Sequence, residues 1–345
     1  MVPIYTIIIN QKKDLEQVYF GLKDKMKNKK IIILQHGGGE LANQLWNFAS
    51  IYTYCLEKDF CCQNYSFFEY GQYFDIPLEN KIINFLFFKP FQNHHERRYN
   101  PKNKFWRFVY KIYTKIITLI YKKRVISSVN PTNEKIYLSP TQENSLLNKL
   151  EKNSEPIYFT GWLFRNPDGI KKYKKEIVDF FKPKEQYTKP AEIKIKELRN
   201  KYKNIIGVHL RQSDYKEFKN GEYLISQQRV REILDEYLEK TNKNPQETIF
   251  VFASDGPIEK DTFLGINIEI NKGNPIEDLY LLSLCDAVIG SDSSFGDFAS
   301  LYGNKPHIIL QKGKMDWDYY MGRNTYFSNK YSVMLDSVDY FSSTK

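Results

Sequence analysis

The chain has 345 residues, 41% of them apolar, enough to bury a sizeable core and to fill two domains. Its four cysteines, Cys55, Cys61, Cys62 and Cys285, lack metal-ligand spacing, which argues against a zinc framework and for reduced, packed thiols in a cytosolic protein. The apolar run 2–9 is too short to cross a bilayer and has no basic leader or cleavage site, so a soluble or peripheral protein is expected, without secretory signal or anchor.

From the N-terminus, 4–9 has strand character, 15–26 helical character, and 31–34 reads as a short buried strand opening into the loop Gly37-Gly38-Gly39. Leu41, Leu45, Trp46, Ala49, Tyr52 and Leu56 then recur at helical spacing and predict a helix of about four turns. Residues 60–154 show no clean period and are expected to hold irregular insertions. The net charge of +10 is concentrated there, with ten Lys/Arg and no Asp/Glu between Arg97 and Arg124. Apolar residues from Phe105 to Ile120 interleave with Arg107, Lys111 and Lys115 as in an amphipathic helix. That pattern fits a core helix with snorkelling lysines, a helix in a membrane interface beside anionic lipid, or a nucleic-acid patch.

Order returns at 157–163, a strand broken by Gly161, followed by a basic helix over 169–181. Pro183 and Pro190 bracket a polar stretch expected to be an interdomain linker, because proline continues neither helix nor central strand. Beyond it, strands at 205–210, 249–253, 287–290 and 306–310 alternate with helices at 226–240, 276–285 and 295–302. Such alternation means a parallel sheet.

Three segments carry candidate chemistry. The run Ile205 to Leu210 hands over to His209-Leu210-Arg211-Gln212-Ser213-Asp214-Tyr215. Ligands of open α/β sheets bind beyond the carboxyl ends of the strands, so the Arg211 fork is placed to hold phosphate oxygens; the alternative is an ordinary solvated charge cluster. Ser291-Asp292-Ser293-Ser294 lies between a strand and a helix start, where free amides and the helix dipole suit phosphate, although plain N-capping by Asp292 or Ser293 explains the same residues. Asp255, in Phe252-Ala253-Ser254-Asp255-Gly256, ends a further strand, and there a ribose or base contact competes with a simple turn.

Together with Gly37-Gly38-Gly39-Glu40-Leu41-Ala42-Asn43-Gln44-Leu45-Trp46-Asn47-Phe48 and Asp278-Leu279-Tyr280-Leu281-Leu282-Ser283-Leu284-Cys285, these segments resemble the bacterial α-1,2-fucosyltransferases and their wider superfamily. The usual forms there are G-G-L-G-N-Q-M-F-Q-Y-A, H-x-R-R-x-D-Y and D-L-x-L-M-S-x-C leading to N-S-S-F-S-W-W. The order matches across about Ile31 to Leu310. The resemblance implies an α/β chain of GT-B type, two Rossmann-like domains with parallel sheets facing across a cleft. Residues 1–185 would bind the acceptor and 186–345 the donor GDP-fucose. It implies inverting transfer without a metal or other cofactor, to a glycan or lipid-linked glycan acceptor, a β-galactoside by family analogy, in a bacterial surface glycan.

Within that frame Arg211 would hold the β-phosphate of the leaving nucleotide, with His209 and Asp214 fixing its loop. Gln212, Asp255, Ser291, Asp292, Ser293 and Ser294 complete the expected donor contacts. Gln212 departs from the family's second arginine, and a Gln212→Arg change is expected to be tolerated. Gly38 and Gly39, tied by Asn43 and Gln44, would bring backbone to the donor from the opposite half. Glu40 is the candidate base, since protein O-fucosyltransferases carry a glutamate in the comparable loop; His36 is the fallback and a solvated carboxylate the alternative. Asp316-Trp317-Asp318 offers a rival metal-dependent D-x-D mechanism. Further alternatives are a different GDP-6-deoxyhexose donor, and a non-enzyme that binds an anionic surface or nucleic acid through 97–124. The favoured reading has no nucleic-acid partner and allows peripheral contact of 97–124 with the inner face of the cytoplasmic membrane.

Overall fold

A computed structural model describes residues 30–35, 39–89, 101–128, 135–138, 147–148, 151 and 155–321. The elements expected at 4–9 and 15–26 lie outside these residues. Strand β1 (Lys30–Gln35) is buried from Ile31 to Leu34, the continuous apolar run of a strand covered on both faces. Helix α1 (Leu41–Glu57) follows, as its apolar spacing predicts, and then β2 (Cys61–Asn64). Helix α2 (Pro101–Ile120) leads to β3 (Val125–Ser127), β4 (Ile136–Tyr137), β5 (Ile157–Thr160) and β6 (Phe164–Arg165). The first sheet has the order β2-β1-β5-β3 with every pairing parallel, and β4 and β6 pair in parallel beside it. Register between β1 and β5 shifts between Ile33 and Gln35, where the chain leaves for the glycine loop.

The helix expected over 169–181 is two helices, α3 (Pro167–Lys172) and α4 (Lys174–Phe180). The expected linker at 183–190 is a correction. Lys184 N–H donates to the Tyr73 carbonyl at 2.9 Å and Pro183 bridges to Phe74, so the chain is pinned to the first half. Helix α5 (Glu185–Arg199) then runs straight through Pro190. A proline inside a helix loses the bond to the carbonyl four residues back, at a cost of about 3 kcal/mol. Burial of Tyr187, Thr188 and Ala191 around it offsets that loss.

The second sheet is built from β7 (Asn204–Leu210), β8 (Thr248–Ser254), β9 (Asn267–Ile270), β10 (Ala287–Gly290) and β11 (His307–Ile309), in the order β11-β10-β7-β8-β9 and wholly parallel. Its crossovers include α6 (Gln227–Lys240), α7 (Pro275–Leu284) and α8 (Ser294–Gly303). The start of α7 is fixed by a capping box between Asn274 and Glu277. A short α9 (Trp317–Tyr320) closes the described chain. One apolar cluster reaches from Ile31, Trp46 and Phe159 of the first half to Leu282, Phe298 and Leu301 of the second, so the sheets share a core.

Candidate functional site

The carboxyl ends of β7, β8 and β10 converge. Ser291, wholly buried, receives the Arg211 backbone N–H on its hydroxyl at 3.0 Å, while its own N–H donates to the His209 carbonyl at 2.9 Å. Asp255 organises the loop after β7. One carboxylate oxygen accepts from the amides of Gln212 (2.7 Å) and Ser213 (3.2 Å), and the other from Ser213 Oγ at 2.6 Å. That second oxygen also lies 3.2 Å from Arg211 Nε, in a half-buried ion pair. Asp255 thus orients the guanidinium through Nε; its expected sugar or base contact gains no support from this geometry, which engages both oxygens inside the loop.

Gln212 requires a correction. It is buried, its amide nitrogen donates to Ser254 Oγ (2.9 Å) and the Pro257 carbonyl (3.0 Å), and its oxygen accepts from Gln227 at 3.0 Å. The side chain is turned beneath the loop, away from the donor contact expected of it. Gly256 makes room for it, since a Cβ there would stand 2.9 Å from Gln212 Cβ. An arginine would carry its charge into this buried space, where the present partners offer it no counter-charge, so Gln212→Arg is expected to be poorly tolerated.

His209 is buried at the end of β7 and stacks on Phe295 at 4.9 Å. Burial, reinforced by the Arg211 charge, pulls its pKa down to about 3, so the ring is neutral. Ser291 likewise serves the loop from inside rather than a ligand. Asp214 begins a 3-10 turn, Asp214–Lys216, in which Tyr215 donates its hydroxyl to the Asp292 carbonyl at 2.6 Å. Ser293 is the N-cap of α8, accepting from the Phe295 amide at 3.4 Å, and Ser294 opens the helix. Asp292, Ser293 and Ser294 are half-buried beside Arg211's loop.

At the carboxyl end of β1, Gly39 has φ +80, and a Cβ there would strike Asn43, so only glycine fits. Gln44 donates to the Gly39 carbonyl at 3.2 Å, the tie expected of it, while Gly38 and His36 lie outside the described residues. Glu40 is the N-cap of α1 but makes no cap bond with its side chain; its carboxylate instead receives the Tyr70 hydroxyl. Burial, then the Glu40 charge, raises the Tyr70 hydroxyl well above its ordinary pKa, which keeps it a donor. The neighbouring Glu69 grips Arg107 of α2 through both oxygens.

The two edges meet at Trp46, whose ring N–H donates to the Ser294 carbonyl at 3.0 Å and whose ring abuts Phe298 edge-on. Asn47 donates to the Gly161 carbonyl at 3.2 Å, tying α1 to the turn after β5. Among the described residues, the buried atoms Gln44 Oε1, Asn47 Oδ1 and His209 Nδ1 have no hydrogen-bond partner. Buried polar atoms are rarely left so, and these belong to the elements at the strand ends. Trp46, Asn47, Ser254, Tyr215 and Phe295 stood in the sequence only as letters of longer motifs, and Tyr70 carried no signal, because the contacts of all six run between distant segments. Asp316 of the D-x-D triplet caps α9 by accepting from Tyr319 N–H at 3.1 Å, and Trp317 is anchored on Glu236 at 2.6 Å. Asp316 is thus engaged by its own helix, and Asp318 stands exposed in the first turn of that helix.

No curated protein sequence matches the chain significantly. Among solved structures, POFUT1 in complex with GDP-fucose superposes with a TM-score of 0.50 at 15% identity, covering 82% of this chain and 99% of that one. A variant of Arabidopsis thaliana FUT1 in complex with GDP gives 0.48 at 14%, covering 83% and 71%. NodZ alpha-1,6-fucosyltransferase soaked with GDP-fucose gives 0.46 at 14%, covering 80% and 93%. At such identities the likeness is one of fold. The sequence model of glycosyl transferase family 11 matches residues 128–329, more than half of the chain and all five strands of the second sheet, and the protein belongs to that family.

Proposed function

We propose that the protein transfers fucose from GDP-fucose to a hydroxyl of a glycan, with inversion and without a metal. The carrying observation is Arg211 at the carboxyl end of β7, its guanidinium oriented by Asp255 and its backbone amide bonded to Ser291 of the loop that opens α8. A nucleoside diphosphate leaving group develops negative charge on its β-phosphate, and a preoriented guanidinium with helix-start amides stabilises that charge. Membership of family 11, and a fold shared with POFUT1 in complex with GDP-fucose, support fucose and guanosine over other donors.

In this reading the chain is of GT-B type. Residues 186–345, with the second sheet, bind the donor, and residues 1–185, with the first, bind the acceptor across a cleft. Glu40, opposite the donor loop and steadied by Tyr70, takes the proton of the attacking hydroxyl. Asp214 helps set the loop that carries Arg211. The acceptor is a galactoside in a lipid-linked or surface glycan and the product an α-1,2 linkage, by analogy with the family.

The test is a panel of GDP- and UDP-sugars, measured by donor hydrolysis and by the rise in melting temperature on binding. GDP-fucose is expected to give the largest shift and the fastest hydrolysis. Stabilisation by UDP-sugars alone overturns the donor assignment. β-Galactosides are then expected to accelerate donor consumption.

A further inference from the structure

Helix α2 has two apolar faces. One, with Trp106, Val109, Tyr110, Tyr113 and Ile117, packs into a core cluster beside Phe87 and Tyr158, and Tyr110 donates to the Leu34 carbonyl at 2.6 Å. The other carries Phe105, Phe108, Ile112, Ile116, Leu119 and Ile120 into solvent, with Leu119 76% and Phe108 62% exposed. At about 100° per residue these six fall within an arc of about 120°, a continuous stripe. Exposed Lys104, Lys111 and Lys115 run along one border of it.

More exposed apolar side chains lie close to α2. Ile82, Phe85 and Leu86 are exposed on a turn whose next residue, Phe87, packs on Trp106, Tyr110 and Tyr113. Of the eleven large apolar side chains exposed among the described residues, nine belong to this surface, so the exposure is a patch and not a scatter. The sequence from Arg97 to Arg124, which includes α2, has no acidic residue.

We propose that this surface docks on a lipid bilayer with anionic headgroups, α2 lying in the plane of the interface with its outer apolar stripe among the acyl chains. Lysines along the border of the stripe then sit at headgroup level, the geometry of an interfacial helix. No helix among the described residues is long and apolar enough to cross a membrane, so contact is by one face. A second copy fits poorly, because a two-fold contact through this face would set the cations of one basic block against those of the other.

The experiment is co-sedimentation of the full chain with vesicles, read without donor or acceptor and so independent of the transfer reading. Binding is expected to mixed phosphatidylglycerol–phosphatidylcholine vesicles and to weaken in high salt or on phosphatidylcholine alone. The double variant F108D/L119D, altered only at exposed positions, is expected to lose at least about tenfold in partitioning while keeping its melting temperature and donor hydrolysis. K111E/K115E, with the stripe intact, is expected to lose the preference for anionic vesicles. Wild-type protein left in the supernatant, equal partitioning of F108D/L119D, or a dimer that this variant abolishes while vesicles bind neither protein would each overturn the proposal.

Discussion

Two strand-to-helix junctions stand at the carboxyl edges of the two sheets, and they treat the first turn of the helix in opposite ways. After β10, Ser293 folds its short side chain back onto the Phe295 amide and caps α8. After β1, Glu40 holds the same N-cap position with extended backbone, but its longer side chain bypasses the helix amides and reaches Tyr70, 30 residues on. Side-chain length at one position therefore decides whether the residue is absorbed by its own helix or held by a distant element. The second outcome is what a reacting group needs, because its orientation is then set by tertiary structure.

The comparison is broken most severely at Arg211. Arg211→Ala is expected to lower turnover about a thousandfold and to reduce the melting shift given by GDP-fucose, with the unliganded melting temperature nearly unchanged. Near-normal transfer would remove the loop after β7 from the chemistry. Glu40→Gln is expected to lower kcat about a hundredfold while the GDP-fucose melting shift survives, which separates acceptor activation from donor binding. If both activity and the shift are retained, Glu40 is only a loop carboxylate.

Gln212→Arg probes the underside of the same loop. Placing a guanidinium among Ser254, Pro257 and Gln227, with no carboxylate among these partners of the present amide, is expected to destabilise the fold by about 3 kcal/mol, read from urea unfolding. A stable variant would mean that the side chain can turn outward. The smallest effect concerns pH. His209 is neutral in the fold down to about pH 3, whereas in the unfolded chain it binds a proton below about 6.5. The unfolded state holds more protons in that window, so this contribution is complete above about pH 6.5. It is lost as pH falls, by up to about 1.4 kcal/mol per unit. Unfolding midpoints from about pH 7 to about pH 5 should decline less steeply in His209→Gln than in the wild type.

Much of the second sheet was legible because parallel strands buried on both faces leave uninterrupted apolar runs such as Ile205 to Leu210 and Ile249 to Ala253. β2, with the sequence Cys61-Cys62-Gln63-Asn64, and β9, with Asn267-Ile268-Glu269-Ile270, have no such run and were missed; their neighbours in the sheets define them. Pro190 misled because burial of Tyr187 and Ala191 outweighs the local cost of proline. At the site, the tie of Gln44 to Gly39 could be read from residue types, and so could the place of Arg211 at a strand end. The inward turn of Gln212 could not, because it depends on Ser254 and Pro257 at the end of β8 and on Gln227 of α6 arriving from two other segments.

The apolar cluster shared by the two halves bears on how substrates come and go. Trp46 clasps Ser294 by a hydrogen bond and meets Phe298 through its ring, and Phe181 reaches the same phenyl group at 6.1 Å. A hinge that swung the sheets apart would break that clasp and wet these aromatic rings together. If nucleotide and sugar meet at the strand ends as proposed, their exchange has to proceed without the sheets separating.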